Sequence, residues 1–215
     1  MAKSVYLTAV IATIAIITVI LFSMQSSEDL RLTKINEEIK QISLESELQS
    51  AYEDFDLENP AVYCTVIEQN IKTTSNRLSE LEKTLQSFKN NSFSSDEFFY
   101  AKRSYLITSM VLFRNLQKAK VSCDLNIKTV LFFYAEDKSC EVDCGIIGAQ
   151  LNELSKTCKT FRDFHFPYAW PNYDFTKILE VKYDVNKAGT LVIDGNVLSS
   201  VLPSEELSVL LGCSD

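Results

Sequence analysis

Apolar and polar positions follow four successive rhythms along the chain. From Ser4 to Ser27 no residue is charged, and the core, Val5 to Phe22, is rich in Ile, Val and Ala and lacks Pro and Gly. Its 18 residues would rise about 27 Å as a helix, close to the roughly 30 Å hydrocarbon thickness of a bilayer. From Glu28 to Tyr52 the sequence is polar with spaced aliphatics, Leu32, Ile35, Ile39 and Ile42. Those steps of three and four make a narrow helical stripe. It reads as an amphipathic stalk or a short coiled coil, and two heptads do not choose between them.

"DLENP" (Asp56 to Pro60) interrupts that pattern, and a longer seam follows: Cys64, Ile67, Ile71, Thr74, Leu78, Leu81, Leu85 and Phe88. "KNNSFSSDE" (Lys89 to Glu97) is a turn signal, with Ser95 or Asp96 as N-cap. A third helix then runs to about Lys120 with Phe99, Leu106, Met110, Phe113 and Leu116 inward. Two long helices joined by a short polar link predict an antiparallel hairpin. The fourth rhythm begins after Cys123. "IKTVLFFY" (Ile127 to Tyr134) suits a strand buried on both faces. "EVDCGIIGAQLNELSKTC" reads as a helix with Ile146, Ile147, Leu151 and Leu154 inward. "TFRDFHF" alternates as a second strand, and "FTKILEVKYDV" is a short helix capped by Asp174. "GTLVIDGNVLSSVL" is a hairpin about Asp194-Gly195, and "PSEELSVLLGC" is a last helix entered through Pro203.

The uncharged first segment sets the compartment. A cleaved signal peptide would have a shorter apolar region ending at a small-residue cleavage site. No A-x-A follows this run, so an uncleaved signal-anchor is the preferred reading. Lys3 and the amino terminus on the short side place that side inside. The bulk of the chain is then expected outside the cytoplasm, where disulfides persist. The net charge of −8 argues against nucleic acid as a partner. The lipid bilayer is an expected one.

Six cysteines form an even set, which in an exported chain favours disulfides. Cys64 lies near the start of the first hairpin arm and Cys123 just past the end of the second, with their midpoint in the turn. Equal antiparallel arms bring the two side by side, so a bridge closing the open end is preferred over two buried thiols. Cys140 and Cys144 are four apart in "SCEVDC". They could be a redox pair, a structural staple or a metal half-site. No second C-x-x-C follows and His165 is the only histidine, so no metal or cofactor is assigned.

The order strand, helix, strand, helix, strand, strand, helix from about Ile127 to Cys213 resembles the thioredoxin-like superfamily. Its carriers are "VLFFYAED" before a cysteine pair, a helix beginning at the second cysteine, "YDV" followed by "GTLVIDG", and the terminal "SEEL" helix. The flavour is closest to membrane-tethered, extracytoplasmic members. The expected architecture is thus mixed α/β: an anchor (1–27), a helical stalk (28–59), an antiparallel helical hairpin (60–124) and a thioredoxin-like βαβαββα domain (125–215).

The resemblance implies a thiol–disulfide oxidoreductase with Cys140 as nucleophile and Cys144 as resolving thiol. Ala188, Gly189 and Thr190 would form the substrate-docking loop, and Cys158–Cys213 a structural bridge tying down the C-terminus. Partners would be cysteine-containing exported proteins or a membrane redox partner. The sequence departs from the family pattern in its C-x-x-x-C spacing and in the acids around it, Glu136, Asp137, Glu141 and Asp143. Gly189 stands where the family has a cis-proline, and Ser139 where an aromatic is frequent. The rival expectation is a non-catalytic binding module with three structural disulfides.

Overall fold

The computed structural model describes Glu37, Lys40 and residues 60–88, 95–135, 137–169 and 174–213. The expected anchor, most of the stalk, the tip of the hairpin and Glu136 lie outside the described residues. Among the described residues no helix is long and apolar enough to cross a membrane. The fold is mixed α/β. Its elements are α1 (Pro60–Phe88), α2 (Ser95–Ser122), β1 (Lys128–Tyr134), a 3-10 turn (Lys138–Cys140), α3 (Glu141–Thr157), β2 (Phe161–Pro167), α4 (Asp174–Lys182), β3 (Thr190–Ile193), β4 (Asn196–Leu198) and α5 (Ser204–Leu211). The chain divides into two compact units. Described residues between 76 and 108 fall in one, and those of 60–75 and from 109 onward in the other.

In the first unit Leu78, Leu81, Ala101 and Leu106 are buried. The rings of Phe88 and Phe98 meet edge to face at 6.0 Å, so α2 doubles back on α1. Phe99, expected inward, is 49% exposed. Phe98, one residue earlier, makes the ring contact with α1, and a neighbour on an α-helix is turned about 100° away from it.

In the second unit a four-stranded sheet has the order β2-β1-β3-β4. β1 pairs parallel with β2 and antiparallel with β3, and β3 pairs antiparallel with β4. The central place of β1 explains its composition. Val130, Leu131, Phe132 and Phe133 are all buried, because successive side chains leave opposite faces of the sheet and both faces are covered. Val130 and Phe132 join Ile147 and Leu151 of α3 and Leu207 and Leu211 of α5 in one core. On the opposite face Phe113 of α2 meets Phe164 of β2 with ring centroids 5.7 Å apart. Burying side chains of this size contributes about 1.5–3 kcal/mol each.

Asp194 ties three elements together. With Gly195 it forms the two-residue turn between β3 and β4, both at positive φ (48° and 92°), as such hairpin turns require. Its carboxylate accepts from Lys120 Nζ at 2.6 Å, Thr129 N–H at 2.9 Å and Thr129 Oγ1 at 3.1 Å. Gln117 Nε2 donates to the same threonine hydroxyl at 2.7 Å. Partial burial alone would raise the Asp194 pKa. The bonds from Lys120 and Thr129 and the lysine charge outweigh it, and the carboxyl is held below its ordinary range. The end of α2, the start of β1 and the hairpin turn are therefore fastened at one anion.

Candidate functional site

All six cysteines are paired: Cys64 with Cys123, Cys140 with Cys144, and Cys158 with Cys213. The bridges differ in what they close. Cys64–Cys123 spans 59 positions and joins the hairpin arms. Cys158–Cys213 spans 55 and joins the end of α3 to the residue after the α5 cap. Cys140–Cys144 spans only four. The loop entropy removed from the unfolded chain is about 4 kcal/mol for each long bridge and about 2 kcal/mol for the short one.

The short bridge sits where β1 hands the chain to α3. After Tyr134, the Asp137 carboxylate accepts from the Ser139 N–H at 2.9 Å and caps the 3-10 turn. Hydrogen bonding from the Ser139 side chain, and then from its N–H, holds the Asp137 pKa below its ordinary value. Cys140 ends that turn and is the N-cap residue of α3, where no side chain caps the helix. Its sulfur therefore stands at the positive end of the helix dipole, which favours an anion. Glu141 and Asp143 in the first turn of α3 oppose a thiolate at the same place.

Each sulfur of the pair has a different neighbourhood. Cys140 is 7% exposed, and Gly189 lies directly against it. A Cβ built on Gly189 would be 2.9 Å from Cys140 Sγ and 3.8 Å from the Asp143 Cβ. Gly189 is at φ +76°, which favours glycine, and its N–H donates to the Phe133 carbonyl at 2.8 Å. Thr190 begins β3 opposite Phe133 and is fully buried, while Ala188 is half-buried. The 188–190 loop thus covers Cys140.

Cys144, by contrast, is only partly buried and lines a cavity of about 430 Å³ with Phe132, Tyr134, Ala135, Asp137, Lys138, Glu141 and Gly145. The phenol of Tyr134 is pushed up to about 12 by burial and stays neutral at physiological pH. Ile146, expected inward, is 43% exposed, and Val142 is 72% exposed. Ile147 and Leu151 hold the core-facing positions, and a residue one step from Ile147 is turned about 100° off that face.

The remaining bridge closes the far end of α3, about 25 Å from its start for 17 residues. There Thr160 Oγ1 donates to the Leu211 carbonyl at 2.9 Å, and Lys128 Nζ donates to the Leu210 carbonyl at 2.6 Å. Gly212, at φ +72°, forms the left-handed cap of α5. His165 makes a 2.9 Å contact with Asp163 and does not line the cavity. Burial would raise the Asp163 pKa, but the bond and charge of His165 outweigh it and hold the carboxyl low. Among the described residues no group of three or more His, Cys, Asp or Glu side chains is arranged to hold a metal ion.

The cavity and the unequal exposure of the two sulfurs had no sequence signal, because the lining comes from β1, the following loop and α3. Comparison with protein-family models, curated proteins and solved structures gives no match to this chain.

Proposed function

We propose that this chain is a thiol–disulfide oxidoreductase of thioredoxin-like fold that works through Cys140 and Cys144. The observation that carries the reading is the four-residue bridge at the start of α3, on the edge of a cavity. A disulfide closing so short a loop adds little to stability compared with the two long ones. Its position instead gives it access to an incoming thiol and gives one sulfur the field of a helix N-terminus. The βαβαββα order from Lys128 to Leu211 supports the fold assignment. With the uncharged Val5–Phe22 segment as an anchor, the active part would face outside the cytoplasm. Its partners would be cysteine-containing exported proteins or a membrane redox partner.

The chemistry is exchange. A substrate thiolate attacks one sulfur of the bridge, the other sulfur leaves as thiolate, and a second substrate thiol resolves the mixed disulfide. The same bonds in reverse order reduce a substrate disulfide. The test is dithiol-dependent reduction of insulin by the wild-type chain, with Cys140→Ser and Cys144→Ser as controls. The reading predicts turnover that either substitution abolishes. Absence of turnover in the wild type, or turnover unchanged in both variants, sinks it.

A second reading is favoured by Gly189 against Cys140 and by the acids Glu141 and Asp143. The domain would then be a non-catalytic binding module and the short bridge a third staple. That reading predicts a bridge that resists a mild dithiol under native conditions.

A further inference from the structure

We infer that the sulfur exchanged with substrate is that of Cys144, and that substrate docks in the cavity beside it and not on the 188–190 loop. This rests on the oxidoreductase reading above and reverses the roles that the family resemblance implies for the two cysteines. Three observations carry it.

The first is access. Attack on a disulfide needs an approach to one sulfur roughly along the S–S axis. Cys140 is buried, with Gly189 so close that even a methyl group there would collide with Cys140 Sγ. Gly189 and Thr190 are themselves buried, so that loop offers a substrate almost no surface. Cys144 is partly exposed and lines the cavity, and Cys140 is not in its wall.

The second is the helix face. Glu141, Cys144 and Gly145 stand at steps of three and four, so they share one side of α3 and all line the cavity. Asp143, which lies toward Gly189, is off that stripe. Cys140 and Cys144, four apart and bonded, share a face, so what separates them is cover: Gly189 lies against Cys140 on the Asp143 side, and the cavity opens beside Cys144 on the Glu141 and Gly145 side.

The third is Gly145. A glycine inside a helix is disfavoured relative to alanine, and no atom lies within 4 Å of a Cβ built here. Packing therefore does not demand it. Its place in the cavity wall gives it a use: any larger side chain would fill the space a substrate occupies.

The occupant that fits is a cysteine-bearing peptide with an aromatic or aliphatic side chain next to its cysteine. Phe132, Tyr134 and Ala135 supply an apolar floor, and Asp137, Glu141 and Lys138 a charged rim. Exposed Val142 and Ile146 extend apolar surface along α3 beyond it. In the exchange, the peptide thiolate bonds to Cys144 Sγ, the Cys140–Cys144 bond breaks, and its electron pair leaves on Cys140 Sγ. That thiolate forms at the helix N-cap, where the dipole stabilises a leaving group. A second thiolate of the peptide then attacks the peptide sulfur of the mixed disulfide and releases Cys144. The peptide has lost two electrons and the protein has gained them.

The test uses the full chain with its long bridges intact. Reduced Cys140→Ser and Cys144→Ser variants are mixed with thionitrobenzoate-labelled Phe-Cys and Gly-Cys peptides, and release of the yellow anion is followed. Cys140→Ser, which retains Cys144, should react at least tenfold faster than Cys144→Ser. It should also prefer the Phe-Cys peptide severalfold, and adding Gly145→Leu should bring that preference to about one. Equal rates, or faster reaction of Cys144→Ser, overturn the inference, as does a preference that survives Gly145→Leu. Should a single-cysteine variant fail to fold, limited alkylation of the reduced wild type followed by mass spectrometry decides. Cys144 should be labelled first, and Cys140 labelled first contradicts the inference. A wild type active on insulin whose reactive sulfur is Cys140 refutes only this assignment, whereas a wild type inactive on insulin refutes the reading beneath it.

Discussion

The two ends of α3 both carry a disulfide, and they are built in opposite ways. At the C-terminal end, Cys158–Cys213 closes a long loop and is surrounded by bonds from Thr160 and Lys128 and by the Gly212 cap. At the N-terminal end, Cys140–Cys144 closes four positions, has no side-chain cap at the helix start, and borders a cavity. One end is fastened several times over. The other leaves a short bridge at a place where an incoming group has room. A disulfide's role follows from the length of loop it closes and from what surrounds it, more than from its presence.

The largest expected effect is at the N-terminal end of α3. Replacing either Cys140 or Cys144 by Ser should abolish dithiol-dependent insulin reduction, a loss of at least a hundredfold in an absorbance or turbidity assay. The matching change at the fastened end, Cys158→Ala with Cys213→Ala, should lower unfolding stability by about 2–4 kcal/mol in a urea titration. It should leave the insulin activity of the folded protein within about twofold. If that pair of substitutions removed activity without unfolding the chain, the two ends would not be functionally separate.

Asp194→Ala removes an acceptor shared by Lys120 and Thr129 and should cost about 1–3 kcal/mol. Because the folded-state pKa of Asp194 is lowered, the unfolded chain binds its proton more readily. Its stabilising contribution is therefore complete above the ordinary aspartate value of about 3.9 and drains away as pH falls toward the lowered value. Urea midpoints measured from pH 6 down to pH 3 should converge between wild type and Asp194→Ala. The smallest effect is at Gly145, where alanine should stabilise by about 0.5–1 kcal/mol, read as a raised melting temperature. A fall instead would mean the site has no room.

Much of the fold was legible because its signals are local. The β-branched and aromatic run in β1 announced a strand buried on both faces, and Asp194-Gly195 announced a hairpin turn. The Cys64–Cys123 bridge followed from the midpoint of two antiparallel arms, which needs only helix lengths. The Cys158–Cys213 bridge needed the family's topology as well. Ile146 and Phe99 went the other way because a run of adjacent apolar residues does not fix a helix's phase, and each sits one step from the residue that packs. Asp194 read only as a turn residue, since its partners Lys120 and Thr129 are distant in sequence. The unequal exposure of Cys140 and Cys144 was hidden for the same reason: it is set by Gly189 on one side and the β1–α3 cavity on the other.

Whether one bridge cycles while two hold is decided by disulfide mapping across a series of dithiol redox buffers under native conditions. Cys140–Cys144 should be reduced first, at a potential above about −300 mV, while Cys64–Cys123 and Cys158–Cys213 stay oxidised below it. Reduction of all three bridges together, or a Cys140–Cys144 potential below that of either long bridge, would contradict that order.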